Sequence, residues 1–156
     1  MSLSPYVLKG KVGAALGEFG SVTASGAVTA GTTVTATTAL AAGTTVTAGT
    51  QFVTSAATTI TAFAGGGQAS ATQLSKGVNH VTTVATAADS VKLPASAPGL
   101  VVHVINGAAS NSMQVFGAGT DTINDVATAT GVAQAAGKSA TYVCPVAGKW
   151  YRVLSA

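Results

Sequence analysis

The sequence predicts an all-β protein in two parts: a hexad-repeat segment of β-helical or β-solenoid type, then a small antiparallel β-sandwich or barrel. Three observations carry this expectation. Val22, Val28, Val34, Leu40, Val46 and Phe52 fall six residues apart without a slip. β-branched residues and glycine dominate that stretch, and a period of six does not fit the 3.6-residue turn of a helix. From about residue 78 onward, short runs rich in Val, Ile and Thr alternate with turn-forming residues.

Residues 1–20 read as an N-terminal arm. Tyr6, Val7, Leu8, Lys9 and Lys11 place apolar and basic side chains together before the repeats begin. Such a cluster suits an arm that adds a strand to a partner surface or lies across it. The arm lacks an apolar run long enough for a signal-peptide core, and Glu18 interrupts it.

Residues 21–63 form the hexad segment. Six is a multiple of the two-residue side-chain period of a strand, so all six large residues point the same way. Ala30-Gly-Thr-Thr-Val-Thr-Ala36 returns as Ala42-Gly-Thr-Thr-Val-Thr-Ala48, a spacing of twelve. Gly31, Gly43 and Gly49 each stand three residues before a hexad position, where a corner between short strands needs freedom in φ. Hexapeptide periods mark stacked β-helical architectures. One chain has too few large side chains here to offset the ordering of its backbone. Three chains sharing an axis could bury the small residues against one another. The expectation is therefore a homotrimer with Val22, Val28, Val34, Leu40, Val46 and Phe52 at its interface.

Residues 64–77, beginning Ala64-Gly-Gly-Gly, read as a flexible Gly/Ser/Ala-rich linker. Residues 78–156 then carry strand-like runs at Val78–Ala85, Ser90–Leu93, Leu100–Ile105, Ser112–Phe116, Ala140–Cys144 and Trp150–Leu154. Pro94, Pro98-Gly99, Asn106-Gly107, Gly117, Gly119 and Ala147-Gly148 punctuate them. Strands at this spacing suggest a sandwich or barrel.

Composition limits the function classes. Charged residues are 7% of the chain, and none occurs between Glu18 and Lys76. The net charge of +3 reflects a shortage of acids, and the seven cations are scattered, so a nucleic-acid partner is not expected. The mean hydropathy of +0.49 comes from Ala and Val spread among Thr and Gly. No run approaches a transmembrane helix, and aromatics at 5% are too few for the girdles of a membrane barrel. A single cysteine, Cys144, forms no internal disulfide and fits synthesis in a reducing cytoplasm.

Candidate chemistry is sparse. Phe116–Asp125 resembles one calcium-binding nonapeptide, with Asp121 and Asn124 or Asp125 as oxygen donors. Such sites are completed by adjacent copies, and one copy reads as a β-turn. His80 and His103 lie in separate strand runs with no ligand-spaced partners. Cys144 has no neighbouring base and reads as a small core residue. The four acids include no pair placed for glycosidase work, and no G-x-S-x-G motif occurs. Neither an enzyme nor a cofactor is expected. Outward threonines at Thr33, Thr35, Thr45 and Thr47 are in the style of ice-binding solenoids, but two copies make too small an array.

The strings Val78-Asn-His-Val-Thr-Thr83, Val104-Ile-Asn-Gly107, Met113-Gln-Val-Phe-Gly-Ala-Gly-Thr-Asp-Thr-Ile-Asn124, Ala127-Thr-Ala-Thr-Gly-Val132 and Tyr142-Val-Cys-Pro145 resemble a module recurring in structural proteins of tailed bacteriophages. The hexads are similar in style to the trimeric β-helical shafts of phage fibres. The resemblance implies a virion surface part, first of all a homotrimeric decoration (cement) protein bound to the major capsid protein. The alternative it implies is a head-fibre or tail-fibre component contacting the host. A shaft of about six hexads is short for a fibre and favours decoration.

Overall fold

A computed structural model describes residue 51 and residues 53–155, all within the compact unit Ala48–Ala156. Among them the chain is all-β, with no helix. The strands are β1 (Ala56–Thr61), β2 (Thr72–Gln73), β3 (Val78–Thr83), β4 (Ser90–Lys92), β5 (Val101–Asn106), β6 (Met113–Phe116), β7 (Thr122–Ile123), β8 (Val132–Gln134), β9 (Ser139–Val146) and β10 (Lys149–Leu154).

Two sheets alternate along the chain. Sheet A has the order β1-β3-β5-β9-β10-β7 and sheet B the order β2-β4-β6-β8. The chain passes from A to B and back, so each return lies beside the previous pass and runs the same way. β1, β3 and β5 pair in parallel, as do β2, β4 and β6. The result is a β-solenoid-like arrangement of about 4 turns, the last of them reversed. β8 runs antiparallel to β6, and β9 antiparallel to β5 and β10.

This differs from the expected antiparallel module over 78–156. The strand runs stand where they were read, but β3 to β6 are joined by crossings between sheets, not by hairpins within one. The tight turn at Ala147-Gly148, with Gly148 at φ 84°, is where a true hairpin forms, between β9 and β10. Solenoid character therefore occurs in residues 56–116. Of the hexad segment 21–63, only residues 51 and 53–63 are described, and β1 is their strand.

Residues 64–77, expected as a linker, enter the coil. Gly65, Gly66 and Gly67 take left-handed φ values of 90°, 71° and 83°, turning the chain out of sheet A. Leu74 is then buried in the core and β2 pairs with β4. The Gln68 amide donates to the Gly117 and Gly119 carbonyls at 2.8 Å each, clamping the turn after β6. The burial of Leu74 is invisible in a Gly/Ser-rich composition.

One apolar cluster lies between the sheets. Val102, Val104, Tyr142, Cys144 and Trp150 come from sheet A; Val91, Met113 and Val115 come from sheet B, with Leu93 just beyond β4. In sheet B, Val91, Val115 and Val132 stand in register across three strands. β5 alternates strictly, with Val102, Val104 and Asn106 inward and Val101 and His103 outward.

Buried amides complete the corners. Asn79 donates to Lys76 O at 2.6 Å. Asn106 donates to Asn111 O at 3.0 Å and Gln134 O at 2.9 Å, and accepts from Ala108 N. Gln134 donates to Val104 O and Lys138 O, both at 2.9 Å, and accepts from the Tyr142 hydroxyl at 3.2 Å. A buried polar group without a partner is costly, and these amides serve carbonyls that the strand ladders leave at the sheet ends. Gln134→Leu keeps the volume and removes the side-chain bonds to Val104 O, Lys138 O and the Tyr142 hydroxyl. It should lower unfolding free energy by about 1–3 kcal/mol, measured by urea denaturation. A loss below about 0.5 kcal/mol would show that the corner does not depend on the amide.

Candidate interaction surface

The outer face of sheet A is built by the registers of β3, β5, β9 and β10. Val101, Val143 and Tyr151 form one row across three strands. Val78, His103, Thr141 and Val153 form the next, across four. His80, Ile105 and Ser139 form a third. Paired residues point to the same side, so these rows share one face.

That face is apolar and uncharged over most of its area. Val101 is 43% exposed, Tyr151 40% and Val153 69%. No residue of β3, β5 or β9 is charged. A groove of about 460 Å³ runs across it, lined by Val78, His103, Ile105, Thr141, Val153 and Leu154 among others. Ser139, Ala140 and Ser155 complete its lining. His103 Nδ1 lies 3.0 Å from Thr141 Oγ1. The His80 ring packs against Gly107, where a Cβ would overlap it. The two histidines therefore share a face but engage different neighbours.

Charge enters at the β10 edge. Asn124 and Asp125 follow β7 with left-handed φ values of 52° and 57°. This places the Asp125 carboxylate 2.7 Å from Lys149 Nζ and 2.8 Å from the Tyr151 hydroxyl. Hydrogen bonds from Lys149 and then Tyr151 hold the Asp125 carboxyl below the usual carboxylate range. The same carboxylate raises the Lys149 amine and the Tyr151 hydroxyl. Both partners of the ion pair are about half exposed, so it positions Tyr151 more than it stabilises the fold.

The other described acids also have internal partners. Asp121 accepts from Ser96 N and Ser96 Oγ at 3.0 Å each. Asp89, buried, accepts from Thr86 Oγ1 at 2.6 Å and Thr86 N at 3.0 Å, and the Thr86 hydroxyl leads the causes that lower its pKa. The nonapeptide-like string thus splits three ways: Asp121 to Ser96, Asn124 to the Arg152 amide, Asp125 to Lys149 and Tyr151. Among the described residues no three of His, Cys, Asp and Glu converge as a metal site would require. Cys144 is buried and directs its thiol to Val146 O at 3.2 Å.

Val22, Val28, Val34, Leu40, Val46 and Phe52, expected at a trimer interface, lie outside the described residues. So do Tyr6, Val7, Leu8, Lys9 and Lys11 of the arm. The outer face of sheet A was not singled out from the sequence. Its signal was present in the outward members of Val101–Asn106 and Ser139–Val146, which carry no charge. Trp150 and Tyr151 separate as neighbours on a strand must: Trp150 is fully buried and Tyr151 stands outside. No family model, curated protein or solved structure matches the chain.

The lowered carboxyls set the acid response. A carboxyl whose folded pKa is depressed contributes stability above its unfolded value, which is lost as pH falls through the folded value. Stability should therefore decline as pH drops below 3.8, the ordinary value for Asp89 and Asp125. Asp89→Asn and Asp125→Asn should each flatten that decline in melting curves recorded from pH 7 to pH 2. An acid limb identical to the parent's in both variants would contradict the assignment.

Proposed function

We propose that the chain is a homotrimeric decoration protein of a bacteriophage head, made in the host cytoplasm and bound to the major capsid protein on the outside of the shell. The observation that carries this reading is the uncharged outer face of sheet A, an array of valine, tyrosine and small hydroxyl side chains suited to adhesion. The described carboxylates, meanwhile, are occupied by internal partners. Such a surface acts by binding and needs no catalysis, cofactor, nucleic acid or membrane.

The repeat supports the same reading. Strands β3, β4, β5 and β6 begin at residues 78, 90, 101 and 113, which are 12, 11 and 12 residues apart. Each is half a turn of the coil. The Ala-Gly-Thr-Thr-Val-Thr-Ala segment recurs in the hexad region at the same spacing of twelve. We take the hexads as a β-helical segment of matching pitch, with Val22, Val28, Val34, Leu40, Val46 and Phe52 gathered at a three-fold axis. Tyr6, Val7, Leu8, Lys9 and Lys11 then form the arm that grips the capsid. Binding the assembled lattice and not its free subunits stabilises the lattice by mass action.

A second reading, a head-fibre or tail-fibre component, is favoured by one feature. Tyr151 is an exposed aromatic with Asp125 and Lys149 beside it, the kind of group that stacks on a sugar ring. Particles lacking the protein separate the two readings. Decoration predicts rupture at lower temperature with normal adsorption to host cells. Heads that withstand heating like the parent but adsorb poorly would favour the fibre. The trimer has its own test. Leu40→Asp should dissociate it in sedimentation experiments, because a carboxylate on a dry axis is desolvated three times over. A trimer of unchanged heat stability would remove the hexads from the interface.

A further inference from the structure

We infer that Asn106-Gly107 is a deamidation site held closed by the fold, so that a chain which unfolds loses the Asn106 amide and does not regain the coil. This modification is independent of the role proposed on a particle.

Asn106 alone among the asparagines is followed by glycine. With no Cβ beside it, the Gly107 nitrogen is unhindered in a free chain. Once deprotonated, that nitrogen attacks Asn106 Cγ. The new C–N bond closes a succinimide, and the side-chain nitrogen leaves as ammonia. Water then adds to either ring carbonyl and breaks its bond to the ring nitrogen, which leaves aspartate or isoaspartate at position 106.

The folded chain restrains both reacting groups. The Gly107 N–H donates to Val81 O at 2.8 Å, carrying the parallel β3–β5 ladder one step past the Val81–Asn106 pair. The Asn106 side chain is fully buried. Its nitrogen donates to Asn111 O and Gln134 O, and its oxygen accepts from Ala108 N at 3.1 Å. The backbone is pinned as well: Asn106 N donates to Lys138 O at 2.9 Å, and Asn106 O accepts from Gly137 N at 2.8 Å. Neither amide turns toward the other without breaking several of these bonds, so the reaction waits on opening of this corner.

Both halves of the labile pair are needed where they stand. At position 107 a Cβ would overlap the His80 ring. At position 106 the corner needs two N–H donors and an acceptor on one short side chain, which asparagine supplies and a carboxylate does not. That second requirement makes the modification one-way. An aspartate at 106 would face Asn111 O and Gln134 O with oxygens alone, a buried charge without a partner. Isoaspartate routes the main chain through the side-chain carbon, which lengthens the end of β5 and displaces Gly107 from Val81. Either product turns reversible unfolding into irreversible loss.

The test uses the full-length parent chain, held at mildly alkaline pH in native buffer and in guanidinium chloride. Digests are followed by mass spectrometry, and isoaspartate is scored by enzymatic methylation. Conversion at Asn106 is expected in denaturant, at least about a hundredfold faster than in native buffer, where the unfolded fraction is small. Denaturant-held samples are then returned to buffer and challenged with protease. The resistant fraction should contain intact Asn106, and the converted chains should be digested. Equal rates in buffer and denaturant, or no conversion in either, overturn the closed site. Converted chains in the resistant fraction at the same proportion as before the challenge overturn the one-way loss.

Discussion

Parallel stacking is the constraint on which this structure rests. A strand in a two-sheet coil hydrogen-bonds to the pass before it and the pass after it, so no layer is complete alone. β3 shows the arrangement: it pairs with β1 on one side and β5 on the other, in parallel on both. The far end is closed by reversing the chain. β8 and β9 run against β6 and β5 and supply the cap that a solenoid requires. The short sequence distance from one half-turn to the next then dictates the rest, including the position of each corner.

Corners are where such a coil spends its polar residues. A chain that must turn every dozen residues leaves carbonyls at the end of each short strand. Asn79, Asn106 and Gln134 are buried to meet them, and Asn111 donates to the Val84 and Ala85 carbonyls in the same way. The turn after β6 has less room still. At Gly117 a Cβ would strike the Asp121 backbone, whereas Gly119 has open space and takes a left-handed φ of 53°. Gln68 reaches that turn from the opposite side of the sequence, which makes residues 64–77 part of the same construction.

Much of this was legible in the residues, and the failures have physical causes. The strand runs beginning at Val78, Ser90, Leu100, Ser112, Ala140 and Trp150 could be read because β-branched residues recur in them and Pro94, Pro98-Gly99, Asn106-Gly107, Gly117 and Ala147-Gly148 punctuate the series. Direction could not be read. The same run serves a hairpin or a crossing, and what decides is the neighbour that each strand meets in space. Leu74 was hidden because one buried side chain in a Gly/Ser-rich stretch leaves no period. The sheet A surface was hidden for a related reason: Val101 and Val102 are the same residue type, and only the pleat sends one outward and the other into the core.

The proposed role joins these levels: a coil of low charge, repeated layers and a neutral face are what a protein working by contact would need. Cryo-electron microscopy of the intact particle tests that most directly. The account predicts three-fold knobs on the outer surface of the head, each holding three copies of the residue 56–154 coil. Density for the coil confined to the tail, or single copies on the head without three-fold symmetry, would contradict it.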